Sequence, residues 1–457
     1  MSTAISSSAP ESRSDQIPPA LDFTSELPPF RAVNGSVIET VRPYNLCDHA
    51  GPFLFRLSRD PIRYMQPNFI RLTGMMRILK DGATAIPAAA KVTVIDGYGQ
   101  ALINKVEVHV NNKIVSDGGG GNYHHKAMIR SLINYDKAAF STHLRSSGFS
   151  AFKDGTPDLA DDDSIVKGAK TYEDFTKWKH LTKNQNRFAS SAWVQFSIDL
   201  QVDLFKTNRE FPNDMNIEVH IFRNSDDYLL IQDAGDTSNY GIHLKDLQLH
   251  VRKVAPYGSV LQSNNRLIQD KGARYQFNNT LFDKFIMSEG QQEFFSTAMF
   301  RGRIPSKTIY FFIEVDTLNG NTQKNPCFLK HWGVEKFSQK INGVNCPLNT
   351  QTYDWDKGNV EEAYRNLFDM VGISTINQGN MITLEAFKST SFLVVYENSC
   401  AGMSFDDFRE KNEQGDITIE VRFSSPLSKT IALIGMGISD DVAIIDGDRN
   451  LIVDAYA

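Results

Sequence analysis

The sequence predicts an all-β chain of two tandem antiparallel β-sandwiches with a few short helices, and three observations lead there. At 457 residues the chain exceeds the size at which one hydrophobic core keeps growing, so two domains are expected. Aromatic residues make up 11%, with 30 Phe and 15 Tyr, and flat rings suit the space between pleated sheets. Short runs of strand character alternate with Gly, Asn, Asp and Pro, without the regular helices of a βαβ protein.

Residues 1–36 are rich in Ser, Pro and Glu, lack apolar periodicity, and read as a flexible N-terminal arm. Strands are expected at Phe53–Leu57, Phe69–Leu79, Lys105–Val110, Trp193–Leu200, Asn216–Phe222 and Leu244–Val254, each closed by turn residues. A helix is expected over Tyr123–Asn134. Ser141–Ala192 is polar and rich in Gly, Asp and Lys, a composition that cannot fill a core, and is expected to form an extended excursion. The break Pro256–Tyr257–Gly258 precedes a helical linker over Ser259–Gln269, where Leu261, Leu267 and Ile268 are interrupted by Gln and Asn. A last helix, Asn359–Gly372, places Ala363, Leu367, Met370 and Val371 on one face. The expected domains are the arm 1–36, a first sandwich 37–257, a linker 258–270 and a second sandwich 271–457.

A faint internal repeat supports the tandem arrangement. Val106–Glu107, Lys113–Ile114 and the helix bearing Arg130, Leu132 and Ile133 recur in order as Val334–Glu335, Lys340–Ile341, and Arg365, Leu367 and Phe368. Ile217–Glu218–Val219 is echoed by Ile419–Glu420–Val421 at the alternating period of a strand. The offset between copies falls from about 235 residues at the helix to about 202 at the late strand, which Ser141–Ala192 accounts for as an insertion in the first copy. A sandwich of the jelly-roll type shortens and protects its sheet edges. Two side by side make a block with loops at both ends and flanks free for neighbours.

Composition excludes several function classes. A net charge of -6, from 48 basic and 54 acidic residues, argues against a surface built to neutralise DNA phosphates, so any genome contact is expected to be indirect or local. Met1–Pro10 has neither a basic nor an apolar segment, and the longest apolar runs, Thr308–Val315 and Thr430–Ile438, are strand-sized. A soluble product made inside the cell, with no membrane span, is expected. Cys47, Cys327, Cys346 and Cys400 are widely spaced and form no CxxC pair, so free thiols are expected.

The motifs of catalysis are missing. No phosphate cradle ends in Gly-Lys-Ser/Thr, and Gly118–Gly121 with Asn122 reads as a turn before a helix. No Gly-x-Ser-x-Gly elbow or His-Glu-x-x-His helix occurs. His124 and His125 are adjacent, about 100° apart on a helix, and cannot chelate one ion from one face; surface or partly packed histidines are expected. Asp161–Asp163 lacks the further oxygen ligands and Gly of a calcium loop. Trp178, Trp193, Trp332 and Trp355 suit a sugar groove less than core or interface anchors. The sequons at Asn34 and Asn278 read as incidental. No catalytic, cofactor-binding or metal residue, no cofactor and no small-molecule substrate is expected, and the chain reads as a non-enzyme.

Across about Val37 to Val453 the chain resembles the major capsid proteins of Polinton (Maverick) elements, adintoviruses and related small double-stranded DNA viruses. In the first half the likeness lies in Arg42–Pro43, Gly51–Pro52–Phe53, the Val106–Val115 segment with Asn111–Asn112, Tyr123, and Leu132–Ile133–Asn134–Tyr135. The second half carries Ala273–Arg274–Tyr275, Arg301–Gly302–Arg303–Ile304–Pro305, Leu318–Asn319–Gly320 and Asn325–Pro326–Cys327–Phe328. It continues with Ile341–Asn342–Gly343, Tyr364, Leu367–Phe368, and Ile419–Ser425 with Pro426–Leu427. Cys327–Phe328–Leu329 departs from the more aromatic stretch of the family. The resemblance implies two tandem eight-stranded jelly rolls, a homotrimer forming a pseudo-hexagonal capsomer, and an icosahedral shell around double-stranded DNA. It also implies a penton single jelly-roll protein and minor capsid proteins as partners, and location in the virion capsid after assembly inside the host cell, in nucleus or cytoplasm. The alternative is a β-sandwich module binding carbohydrate or another ligand, or a host-retained capsid-derived protein.

Overall fold

In a computed structural model, residues 32–45, 51–111, 113–116, 121–149, 179–233, 235–296, 298–318, 320–346, 350–399 and 413–454 are described. Among the described residues, eight principal strands build the first sandwich: β1 (Val33–Val41), β2 (Phe53–Leu57), β3 (Tyr64–Lys80), β4 (Ile103–Val110), β5 (Lys113–Ser116), β6 (Val194–Asp199), β7 (Ile217–Arg223) and β8 (Tyr240–Pro256). They pair antiparallel as β1-β8-β3-β6 and β2-β7-β4-β5.

The second sandwich repeats the plan with β9 (Ala273–Met287), β10 (Glu293–Phe295), β11 (Lys307–Glu314), β12 (Val334–Ile341), β13 (Gln351–Thr352), β14 (Val394–Glu397), β15 (Ile417–Phe423) and β16 (Ile431–Ile445). Its sheets are β9-β16-β11-β14 and β10-β15-β12-β13. In both halves strands 1, 8, 3 and 6 face strands 2, 7, 4 and 5, which is the jelly-roll order, so the fold is a double jelly roll.

The sequence repeat maps onto this symmetry with one slip. Val106–Glu107 and Val334–Glu335 lie on β4 and β12, and the Ile-Glu-Val triplets on β7 and β15. Lys113–Ile114, however, follows the hairpin turn in β5, whereas Lys340–Ile341 precedes the turn at Asn342–Gly343, so these dipeptides are not equivalent.

The first strand begins at Val33, inside the segment expected to be an arm, because Val33, Gly35 and Ser36 pair with Pro256, Ala255 and Val254 along the edge of β8. Within Ser141–Ala192, residues 150–178 lie outside the described residues. The flanks contradict a wholly excursive segment: Phe149 packs on Phe140 and Met381, and Phe188 at the end of α2 (Lys179–Phe188) is buried with its ring edge-on to Tyr98. Two aromatic anchors thus pull both ends onto the sandwich.

The two cores interlock through α1 (Tyr123–Asn134). Tyr123 and Ala127 belong to the first core, while Met128, Ile129 and Ile133 belong to the second. A helix buried on several faces is what such a position requires. In return Tyr275, Phe277, Ala443 and Ile445 of the second sandwich enter the first core. Strand β11 explains the apolar run Thr308–Val315: Tyr310 meets Phe337 of its own sandwich, and Phe311 meets His125 of α1, so both faces are covered.

Strand alternation puts the connections after strands 1, 3, 5 and 7 of each sandwich at one end and the others at the opposite end. At the first end Met381 N–H donates to Leu132 O (3.1 Å), joining the two connections after fifth strands, and Gln232 N–H donates to Thr322 O (2.8 Å). At the opposite end Arg449, just after β16, donates to Asn213 O (2.9 Å) and accepts at its carbonyl from Asn111 Nδ2 (2.5 Å). Like ends therefore meet like ends, and the two jelly rolls stand side by side in the same orientation. The linker helix α3 (Gly258–Lys271) runs from the end of β8 to the start of β9, both at the Arg449 end, where Asn265 accepts from Arg449 (2.8 Å).

Candidate assembly surfaces

The seam between the jelly rolls carries a buried ion cluster. Asp203 lies in the connection after β6 and accepts from Arg130 (2.6 Å), from the Thr280 amide of β9 (3.0 Å) and from Lys126 (3.4 Å). Burial pushes the Asp203 carboxyl up, but Lys126 and Arg130, with hydrogen bonds from Arg130 and Thr280, outweigh it and hold the group below its ordinary value. Three charged side chains this deep are tolerated only because each is paired. Arg365, the repeat partner of Arg130, pairs instead with exposed Asp369 at 3.2 Å, so the two copies of the motif differ in role.

His124 and His125 are buried in the same seam, correcting the expectation of surface or partly packed rings, because Tyr228 and Phe311 pack against them. Burial drives both imidazoles toward the neutral form, His125 to about 3. Cys327 is a free thiol packed against both cores and pushed up by burial to about 12, and Cys346 is also free. Cys47, Cys400, Asp161–Asp163, Trp178 and Gly118–Gly120 lie outside the described residues, whereas Asn34 sits within β1. Gly121 and Asn122 precede α1, and Asn278 is exposed on β9. Trp355 donates from its indole to Val334 O (2.6 Å) and stacks on Tyr353 and His331, while Trp193 lies between the cations of Arg77 (4.4 Å) and Lys245 (4.2 Å).

The outer face of β1-β8-β3-β6 carries an open groove of about 420 Å³ lined by Ile38, Phe69, Arg71, Thr73, Phe196 and His250, among others. Phe69 is flanked by the Arg252 and Arg71 guanidinium groups at 4.0 and 5.3 Å, and Ile38 is 51% exposed, so an aromatic and aliphatic surface rimmed by charge faces outward. Other flanks expose Ile286 and Phe295 of the second sandwich. Such anchors on flat strand faces suit protein contacts better than a small ligand, which needs an enclosed cleft.

No protein-family profile and no curated protein sequence matches the chain. Among solved structures, a chain of the Sputnik virophage aligns with a TM-score of 0.58 and 10% identity, over 98% of this chain and 94% of that one. The PBCV-1 virus capsid aligns at 0.53 and 10%, over 95% and 99%. The mavirus major capsid protein aligns at 0.50 and 11%, over 99% and 96%. The chain thus has, over nearly its whole length, the double jelly-roll fold of these viral capsid structures.

Proposed function

We propose that the chain is a major capsid protein that assembles as homotrimeric, pseudo-hexagonal capsomers into an icosahedral shell around double-stranded DNA. The observation that carries this reading is the like orientation of the two jelly rolls. Three copies around an axis would present six similarly oriented sandwiches, a near-hexagonal tile that closes with cyclic symmetry. The interlocked cores support a rigid block, and the outward aromatic groove supplies contact area. The neighbours named as capsid or capsid protein, alike over whole chains, support the same role.

The resemblance read in the sequence favours the Polinton and adintovirus type, with penton and minor capsid proteins as further partners and assembly inside the host cell. The two units take in residues 33–257, where 37 was the expected start, and 271–457, with 258–270 as linker and the segment before β1 as an arm that orders along a neighbour. Electron microscopy of the purified full chain tests the proposal. Hexagonal capsomers or closed shells are expected. A chain that forms neither under any salt or pH, and instead takes up a carbohydrate saturably, would replace it with the binding-module reading.

A further inference from the structure

On the outer face of β2-β7-β4-β5, two histidines and two glutamates meet across a strand pair. Glu107 lies opposite His220, and His109 opposite Glu218, in the antiparallel register of β4 with β7. Side chains on adjacent positions of one sheet face come within reach of each other. The His109 and His220 rings are 4.2 Å apart between centroids. Donor atoms of Glu107, His109 and His220 all lie within 4.8 Å of one another.

The carboxylates are divided between partners. Glu107 Oε1 accepts from Lys105 Nζ (2.6 Å), leaving Oε2 3.6 Å from His109 Nε2; Glu218 Oε1 accepts from Arg56 Nε (2.8 Å), leaving Oε2 3.3 Å from His220 Nε2. His109 Nε2 is shut off from solvent with no hydrogen-bond partner, an unsatisfied polar atom that needs an explanation. A tetrahedral ion with ligand bonds of about 2.0–2.2 Å sets neighbouring donor atoms about 3.4 Å apart. The His109–Glu107 spacing of 3.6 Å is within reach of that figure.

We propose that Glu107, His109 and His220 form a binding site for a divalent transition-metal ion of the zinc class, with Glu218 as the carboxylate that orients His220. Two imidazoles and one carboxylate are a donor set for zinc, whereas calcium and magnesium take oxygen ligands. The ion joins β4 to β7 and gives His109 Nε2 its partner. The site stands apart from the capsid reading, since it needs only one folded chain.

The full chain, stripped with EDTA, is titrated with Zn²⁺ against a chromophoric chelator and with Co²⁺ by visible absorption. The expected result is one ion per chain and intense tetrahedral Co²⁺ bands. His109→Gln with His220→Gln abolishes both while leaving the thermal midpoint in EDTA unchanged. Glu218→Gln weakens Zn²⁺ binding about 10- to 100-fold, as loss of an orienting partner does. Absence of stoichiometric binding, or equal uptake by wild type and the double variant, overturns the site. If the double variant is less stable in EDTA, Glu107→Gln serves as the second test, and undiminished binding by it also overturns the site.

Discussion

At the scale of single residues, the seam is held by charges that water cannot replace. Asp203→Asn removes the carboxylate that Lys126 and Arg130 both meet, and loss of one partner of such a cluster costs about 3–5 kcal/mol. Denaturant unfolding of the variant measures it, and a change below about 1 kcal/mol would show that the cluster is dispensable. The histidines give the molecule an acid limit. Because the folded chain keeps His125 neutral down to about 3 while the unfolded chain protonates it near 6.5, the unfolded state binds more protons between those values. Stability is therefore full above about pH 6.5 and falls with acidification, by up to about 1.4 kcal/mol per pH unit for this group. Asp203 adds its own loss only below its unfolded value of 3.8, as pH falls through its depressed folded value. His125→Leu should flatten the stability profile between pH 6 and 4; an unchanged slope would remove His125 from the account. None of this was legible locally. Adjacent histidines read as surface or partly packed residues because only the tertiary packing of Phe311 and Tyr228 against them makes them core.

At the scale of elements, the sequence spoke most clearly where one periodicity ran uninterrupted. Tyr123–Asn134 is the helix expected, and the strand expected at Phe53–Leu57 is β2. Ends were less legible: β1 starts at Val33 because pairing with β8 fixes it, although Gly35 and Ser36 have little strand character. A deletion of residues 1–36 consequently removes ladder pairs, whereas one of residues 1–31 spares them and the bond from Tyr257 N–H to Ala32 O. The longer deletion should lower the thermal midpoint below that of the shorter; equal midpoints would mean those pairs contribute nothing. Helix α1 is the weld between cores. Ile129→Ala empties a fully buried position in the second core, at a cost of about 2–5 kcal/mol. Calorimetry should show unfolding split or shifted down relative to the unsubstituted chain, and an unaltered profile would show that the two sandwiches are held together elsewhere. The His and Glu cluster across β4 and β7 escaped sequence reading for a related reason: Glu107 and His220 become neighbours only through strand register over a long loop.

At the scale of the whole molecule, two like-oriented jelly rolls and an outward aromatic groove form a block whose flanks the capsid proposal makes its working parts. The internal repeat announced the two sandwiches, but not their common orientation, which depends on contacts such as Met381 with Leu132 and Arg449 with Asn213. Contacts between copies should fail before the fold does. Ile38→Asp places a charge on the exposed groove, where it costs the subunit little but an interface core much. Sedimentation of the full chain, across concentration and beside Ile38→Asp, is the most direct measurement of the central claim. The account predicts a species of three chain masses for the wild type and a folded, smaller species for the variant. A wild-type chain that remains monomeric at high concentration across ordinary salt and pH would contradict it.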